Sequence, residues 1–353
     1  MATTRKPRAA ARDSALIHAP SEFMRSGAGG GRWAGEQLLA AIARGERISP
    51  AVLRTLDTLP FQSWIAFDDV AIREGTMRSP LFGEMLAAGL TIPIPNAMGK
   101  TMFQWDKVTD MEGASVSLDG LARTDDDRVE FEVGNVPLPI THKDFNIGLR
   151  TLSASRESGE PLDTLQAGIA GRLVGEKLGS MLINGYDKKF GGASIYGLLN
   201  EPARNGGNFG TNGNWDQYPT KTGDNILQDA KTMAKALRAD RFPGPYWLVG
   251  PSDYADVVDN DYKANGDQTI LERMLKIDGL ERVIWDDQMP ANNLVMFQAT
   301  RDVVAIGNGE GIQTIQWDIY GGMAVAFKIF AIQVPIIRAT EAGRSGIYHM
   351  VAP

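Results

Sequence analysis

The chain has 353 residues, 43% of them hydrophobic and 22% charged, which fits a folded globular protein with room for two lobes or one large elaborated domain. Its 36 Lys and Arg against 43 Asp and Glu leave a net charge of −7, which argues against general affinity for nucleic acid over the whole surface. The absence of cysteine excludes disulfides, thiolate catalysis and cysteine metal sites, and the three histidines, His18, His142 and His349, stand far apart without a metal-ligand spacing.

The chain opens with "MATTRKPRAAAR", where Arg5, Lys6, Arg8 and Arg12 occur with no acid among them. Two readings stay open: a solvated basic tail, or an arm placed against an anionic partner. Beginning at Met1, the chain is expected to have kept its N-terminus. No signal-peptide core follows, and no apolar run approaches the ~20 residues needed to span a bilayer, so a soluble protein without a membrane partner is expected. "SGAGGGR" reads as a flexible linker, since it lacks the Lys-Ser/Thr of a phosphate-binding loop.

Short amphipathic helices are predicted in "GEQLLAAIARGERI", "SPAVLRTLDTLP", "FQSWIAFDDVAIREG" and "SPLFGEMLAAGL", two of them opening on a Ser-Pro pair suited to an N-cap and first turn. Pro93 and Pro95 then force extended backbone. From Gly99 to Gly134 the texture becomes alternating, as in strands: "KTMFQWDKV", "ASVSLDGLA" and "VEFEVGNV". The charged tip "ARTDDDR" lies before the last of these, so a long hairpin arm is predicted. It has too few apolar residues to bury both faces and must lean on another element or subunit.

After an extended passage marked by Pro137 and Pro139, "PLDTLQAGIAGRLVGEKLGSMLING" predicts one long helix. Pro161 suits its first turn, and Asn184–Gly185 a left-handed cap. Leu162, Leu165, Ile169, Leu173, Val174, Leu178, Met181 and Leu182 follow the three- and four-residue spacing of a buried face. Gly168, Gly171, Gly175 and Gly179 lower its propensity, which implies close packing against a sheet or a neighbour. Beyond a turn-rich stretch, "ILQDAKTMAKALRAD" reads as an amphipathic helix, "GPYWLVGPSDYADVV" as strand, turn and helix, and "TILERML" as a short helix. "ERVIWDDQM", "NNLVMFQAT", "DVVAIGNG", "IQTIQWDIY", "GGMAVAFKIFAIQVPII" and "SGIYHMVA" read as strands. The class is α+β.

Chemical motifs are sparse. "VVAIGNGEG" places glycines after an apolar strand, but a strand-like stretch follows where a dinucleotide site needs a helix, so a β-turn is expected. Asp125 to Asp127 read as a solvated loop tip rather than a cation site. Asp286 to Gln288 read as a strand end facing water, with no partner to complete a carboxylate pair. His142 near Asp144 is the best acid–base pair available, and a bland histidine is favoured. The seven tryptophans fit packing better than base stacking. Neither metal nor cofactor is expected.

The ordered set carries more than any single motif. A hairpin arm, "VPLPITHKDF", a glycine-capped helix ending "LING", "SIYGLLN" and "GPYWLVGPSDYADVV" together resemble the HK97-type major capsid proteins of tailed bacteriophages and the related encapsulin shells, over roughly Phe61 to Pro353. "GPYWLVGPSDY" and "SIYGLLN" look encapsulin-like; "MEGASVSLDG" and "SRESGEPLD" look phage-like. The length, the basic N-terminal region and these phrases favour a phage coat.

The resemblance implies an N-terminal arm over 1–60, a helical segment over 61–96 and an extended E-loop over 97–136. It further implies a peripheral domain over 137–195 with spine helix 161–184, an axial domain over 196–335, and a C-terminal strand over 336–353 returning to the peripheral domain. Arg123, Asp125, Asp126, Asp127 and Arg128 become candidate subunit contacts at the E-loop tip; Arg5, Lys6, Arg8 and Arg12 become lumenal, DNA-facing candidates. The implied function is non-enzymatic self-assembly into hexamers and pentamers of an icosahedral shell around double-stranded DNA, located in the virion after assembly in the host cytoplasm. Scaffolding, portal and decoration proteins are its implied partners. Lys100 and Lys107 lie at the base of the E-loop and none at its tip, so no lysine–asparagine cross-link is expected. The alternatives are an encapsulin-like compartment enclosing cargo protein and, from a different class, a soluble α+β enzyme.

Overall fold

The computed structural model of the chain describes residues 69–76, 78–108, 131–148, 150–151, 154, 162–263, 266–340 and 343–352. Helix α1 covers 69–76 and α2 covers Pro80–Ala87. The Ser79 hydroxyl caps α2 by accepting from the Phe82 amide, and Pro80 occupies the first turn, where its missing N–H has no cost. The long helix α3 is Leu162–Asn184, 23 residues, and it ends at Gly185 with φ +73°, the left-handed cap its Asn-Gly pair predicts.

The apolar stripe predicted along α3 divides: Val174, Leu178, Met181 and Leu182 are buried as expected, but Leu165, Ile169 and Leu173 are not. Ala167, Ala170, Val174, Leu178 and Leu182 are buried, whereas Leu165, Ile169 and Leu173 are 68%, 45% and 37% exposed. At 3.6 residues per turn these two sets lie on opposite sides of the helix. The small residues win the inner side because α1 approaches too closely for larger ones. A Cβ on Gly171 would lie 2.4 Å from the Ala71 carbonyl oxygen, one on Gly175 1.9 Å from that of Gly75, and one on Gly179 2.6 Å from Ser79 Cβ. The predicted close packing is therefore a glycine seam along α3, facing α1 and the cap of α2.

Strands β1 (Thr91–Pro93), β2 (Met102–Val108), β3 (Phe131–Pro137) and β4 (Thr141–Gly148) precede α3. After it come β5 (Tyr186–Phe190), β6 (Ala193–Ile195) and β7 (Asn205–Asn208), then helix α4 (Gly223–Ala239). Next are β8 (Tyr246–Pro251), α5 (Ala255–Val258), α6 (Ile270–Met274), β9 (Leu280–Asp286) and β10 (Asn293–Gln298). The long strands β11 (Val304–Ile319) and β12 (Ala324–Ile337) and the last strand β13 (Ile347–Val351) close the order.

A five-stranded mixed sheet runs β7-β13-β10-β8-β9 and a four-stranded one runs β1-β11-β12-β4. In the first, Tyr246, Leu248, Leu294, Met296 and Met350 join Ile226, Ala230, Met233 and Leu237 of α4 in one core. The opposite face of its central strands is also dry: Trp247 and Phe297, both buried, pack with ring centroids 6.0 Å apart. That double burial explains why "YWLV" and "LVMF" read as unbroken apolar runs. One compact unit holds the described residues of Met1–Val70, Asn146–Ala167 and Gln316–Phe327; a larger one holds those of Ala71–Phe145, Gly168–Ile315 and Lys328–Pro353.

Two expectations change here. "VVAIGNGEG" is no turn: β11 passes through it as one strand of 16 residues. Pairing holds it straight, with Thr91–Pro93 in parallel register to Ile306–Asn308. Its glycines make room instead, since a Cβ on Gly309 would lie 2.3 Å from Ala97 Cβ. The C-terminal strand does not return to the 137–195 segment either. β13 lies between β7 and β10, antiparallel to Asn293–Phe297 and parallel to Asn205–Asn208, while β11 and β12 are the strands that share a sheet with β4.

Candidate assembly surface

Strands β2 and β3 form a two-stranded antiparallel ribbon of their own, with seven pairs from Met102↔Pro137 to Val108↔Phe131. The pair joined through the tip segment is thus "TMFQWDKV" with "FEVGNVP"; "ASVSLDGLA" lies outside the described residues. A two-stranded ribbon is marginal in water, and its base is anchored by one aromatic. Trp105 lies across Gly134, where a Cβ would come within 2.6 Å of the indole. Phe103 sits 6.1 Å away, and the Arg338 guanidinium lies 5.9 Å from the indole centroid. Further along, Val133 is 54% exposed, and Lys107 pairs with Glu132 at 3.5 Å. Arg338, at the end of β12, had no sequence signal marking it as a ribbon anchor.

The candidate tip contacts Arg123, Asp125, Asp126, Asp127 and Arg128, and the arm candidates Arg5, Lys6, Arg8 and Arg12, lie outside the described residues. The other motifs resolve into structure. Asp286 is fully buried rather than facing water: its carboxylate accepts from the Ser79 hydroxyl at 2.9 Å and from the Leu81 and Gln288 amides. It ties the start of α2 to the end of β9, because a buried carboxylate needs donors and a helix start supplies them. Asp287 stays at the surface and pairs with Arg78 at 3.2 Å, as Glu176 of α3 does at 2.8 Å. His142 Nδ1 lies 3.3 Å from Asp144, both about half exposed, and Asp144 also meets Lys328 at 3.4 Å. Among the described residues no cluster of His, Asp and Glu could hold a metal ion, and no helix is long and apolar enough to cross a membrane.

One buried ion pair escaped sequence reasoning. Lys221, wholly buried, donates to Asp229 at 2.6 Å and to the Gly213 carbonyl, while Asp229 also accepts from Trp215 Nε1 at 3.0 Å and from the Gly210 amide at 3.1 Å. Every charge in it is met by a partner, which makes it a clasp for the turn-rich stretch ahead of α4.

His349 of β13 is a titratable group strongly perturbed by burial. Its Nε2 meets Asn293 Oδ1 at 2.8 Å and Arg204 Nε donates to its Nδ1 at 3.3 Å, an arrangement for a neutral ring protonated on Nε2. Burial, and after it the Arg204 charge, pulls its pKa from 6.5 down to about 4. A base with a depressed folded pKa contributes stability that is complete above the unfolded value of 6.5 and is lost as pH falls toward about 4. Thermal melts should therefore show Tm dropping between about pH 6.5 and 5 more steeply for the native chain than for His349→Gln. Equal slopes would remove His349 from the pH dependence.

With this geometry in view, the comparisons with known proteins fall into place. Residues 53–350 match the model of a family of unknown function, DUF6260. The chain belongs to that family. No curated protein matches it. Among solved structures, a virus-like particle from Pyrococcus furiosus is 17% identical to this DUF6260 member, with a TM-score of 0.56 over 82% of this chain and 98% of that chain. The capsid of Myoviridae phage XM1 is 12% identical, with a TM-score of 0.60 over 76% of this chain and 92% of that one. The capsid of the native GTA particle is 12% identical, with a TM-score of 0.54 over 75% and 88%. This DUF6260 chain therefore has the HK97-type shell fold that the sequence resemblance implied. The structures it matches are shells, not enzymes.

Proposed function

We propose that the chain is the major coat subunit of a tailed-phage capsid, self-assembling into hexamers and pentamers of an icosahedral shell around double-stranded DNA. The observation that carries this reading is the ribbon β2–β3, hydrogen-bonded to neither large sheet, in a chain whose fold matches capsid and virus-like-particle subunits over most of its length. A two-stranded ribbon that exposes a valine is wasteful in a monomer and useful where a neighbouring copy covers it. Under this reading the ribbon is the base of the E-loop and α3 is the spine helix. The four-stranded sheet then belongs to the peripheral domain, and the five-stranded sheet with α4 to the axial domain. Closed symmetry with repeated interfaces makes one chain a container. The virion is then its location, reached by assembly in the host cytoplasm.

Negative-stain microscopy of the protein from its native source, with nuclease-protected nucleic acid assayed in parallel, tests this. Large icosahedral shells with protected DNA are expected. Small shells holding protein and no DNA would move the reading to an encapsulin-like compartment, which the match to nearly the whole Pyrococcus furiosus subunit favours as second choice. Monomers or dimers alone would end both.

At the E-loop tip, reversing Asp125, Asp126 and Asp127 to lysine is expected to lower particle yield while leaving the melting of unassembled subunits unchanged. Single exposed ion pairs contribute only about 0–1 kcal/mol, but an icosahedral shell repeats each one at every equivalent interface. Unchanged yield would take these residues out of the interface.

A further inference from the structure

The hairpin β5–β6, which immediately follows α3, is paired irregularly. Tyr186 opposes Ile195 and Phe190 opposes Ala193, so five residues on one strand face three on the other. The slack is taken up by a bulge that brings the Tyr186 and Phe190 rings into a stack, 5.7 Å apart and 7° from parallel, and leaves Asp187, Lys188 and Lys189 exposed. Lys177, near the end of α3, lies with Nζ 4.8 Å from the Tyr186 centroid. The turn that follows, Gly191–Gly192, has open space around both residues.

The charge balance here departs from that of the chain. Between residues 172 and 190 there are four basic residues and two acids in an otherwise acidic protein. Glu176 is already engaged by Arg78 and Arg172. Among the described residues, no ion pair involves Lys177, Lys188 or Lys189. Lys188 and Lys189 are thus exposed on one open hairpin, with Lys177 against its aromatic stack and Asp187 as the one carboxylate of the bulge.

We infer that this hairpin is a phosphate-contacting element that meets the backbone of nucleic acid, through Lys188 and Lys189 with Lys177 behind them. Lysine ammonium groups are hydrated point charges that suit phosphodiesters without reading sequence. The inference rests on the coat-subunit reading and adds to it a nucleic-acid contact separate from the N-terminal arm.

The test is fluorescence anisotropy of a labelled DNA duplex against the full-length chain across a salt series, comparing the native protein with Lys188→Gln/Lys189→Gln. A second pair, Lys231→Gln/Lys235→Gln on the exposed side of α4, removes the same charge elsewhere. Each phosphate contact contributes about 0.9 to the slope of log K against log salt, so the hairpin variant should lose about 2 from that slope while the α4 variant keeps it. An unchanged slope, or equal losses in both variants, overturns the inference while shells seen by microscopy leave the coat reading standing. If the hairpin variant binds DNA normally but no longer assembles, the lysines face an acidic surface of another copy, and the inference is likewise overturned. Native protein that forms no shells fails the coat reading itself.

Discussion

Replacing Gly175 with alanine is expected to destabilise the folded chain, although alanine is the better helix former. Propensity favours the change by about 1 kcal/mol. Against it stands a Cβ 1.9 Å from the Gly75 carbonyl oxygen, a distance no rotamer can relieve because both atoms belong to backbone or its first side-chain carbon. α1 must move away from α3. Overpacking of this kind costs about 3 kcal/mol at the upper end, so a net loss of about 2 kcal/mol is expected, read as a lower urea midpoint. Gly311→Ala, where a Cβ meets nothing within 4 Å, is the matched control and should change stability by less than about 0.5 kcal/mol. A Gly175 variant as stable as the native chain would show that the seam can open without penalty.

The second large effect is expected at the buried clasp. Asp229→Ala strands the wholly buried ammonium of Lys221 with the Gly213 carbonyl and the Phe209 ring but no counter-charge, and breaking such a pair costs about 3–5 kcal/mol. Lys221→Met should cost less, because the Asp229 carboxylate keeps the Trp215 indole and the Gly210 amide as donors. The double variant Asp229→Leu/Lys221→Met should recover part of the loss of Asp229→Ala, since it removes both desolvation penalties together. Urea midpoints in the order native, Lys221→Met, Asp229→Ala check the asymmetry. The reverse order would mean that the carboxylate, not the ammonium, is the charge that cannot stand alone.

Both effects arise at places where local sequence is a poor guide. The glycines at 171, 175 and 179 lower helix propensity, and their spacing of four announces a close neighbour without saying which. Only the fold shows that α1 and the cap of α2 supply it, with Ala71, Gly75 and Ser79 in matching steps. Lys221 reads as one lysine of a polar stretch, and nothing in "YPTKTGDN" says that it is buried.

The chain by itself determined the elements whose cause is local. The 3.6-residue period and Asn-Gly cap set α3; Ser79 and Pro80 set the start of α2; unbroken apolar runs set β8 and β10. The order of these phrases also determined the fold, which is why the HK97-type resemblance was legible without coordinates. Tertiary structure decided what depends on partners distant in sequence. It turned Leu165, Ile169 and Leu173 of α3 outward, because close approach of α1 rewards small residues on the inner side. It drew β11 through three glycines as one strand, because pairing on both edges outweighs turn propensity. It buried Asp286, because two amides and a hydroxyl converge there, and it placed β13 between β7 and β10. Helix period and caps are written within a few residues, whereas strand partnership and burial are properties of the assembled chain.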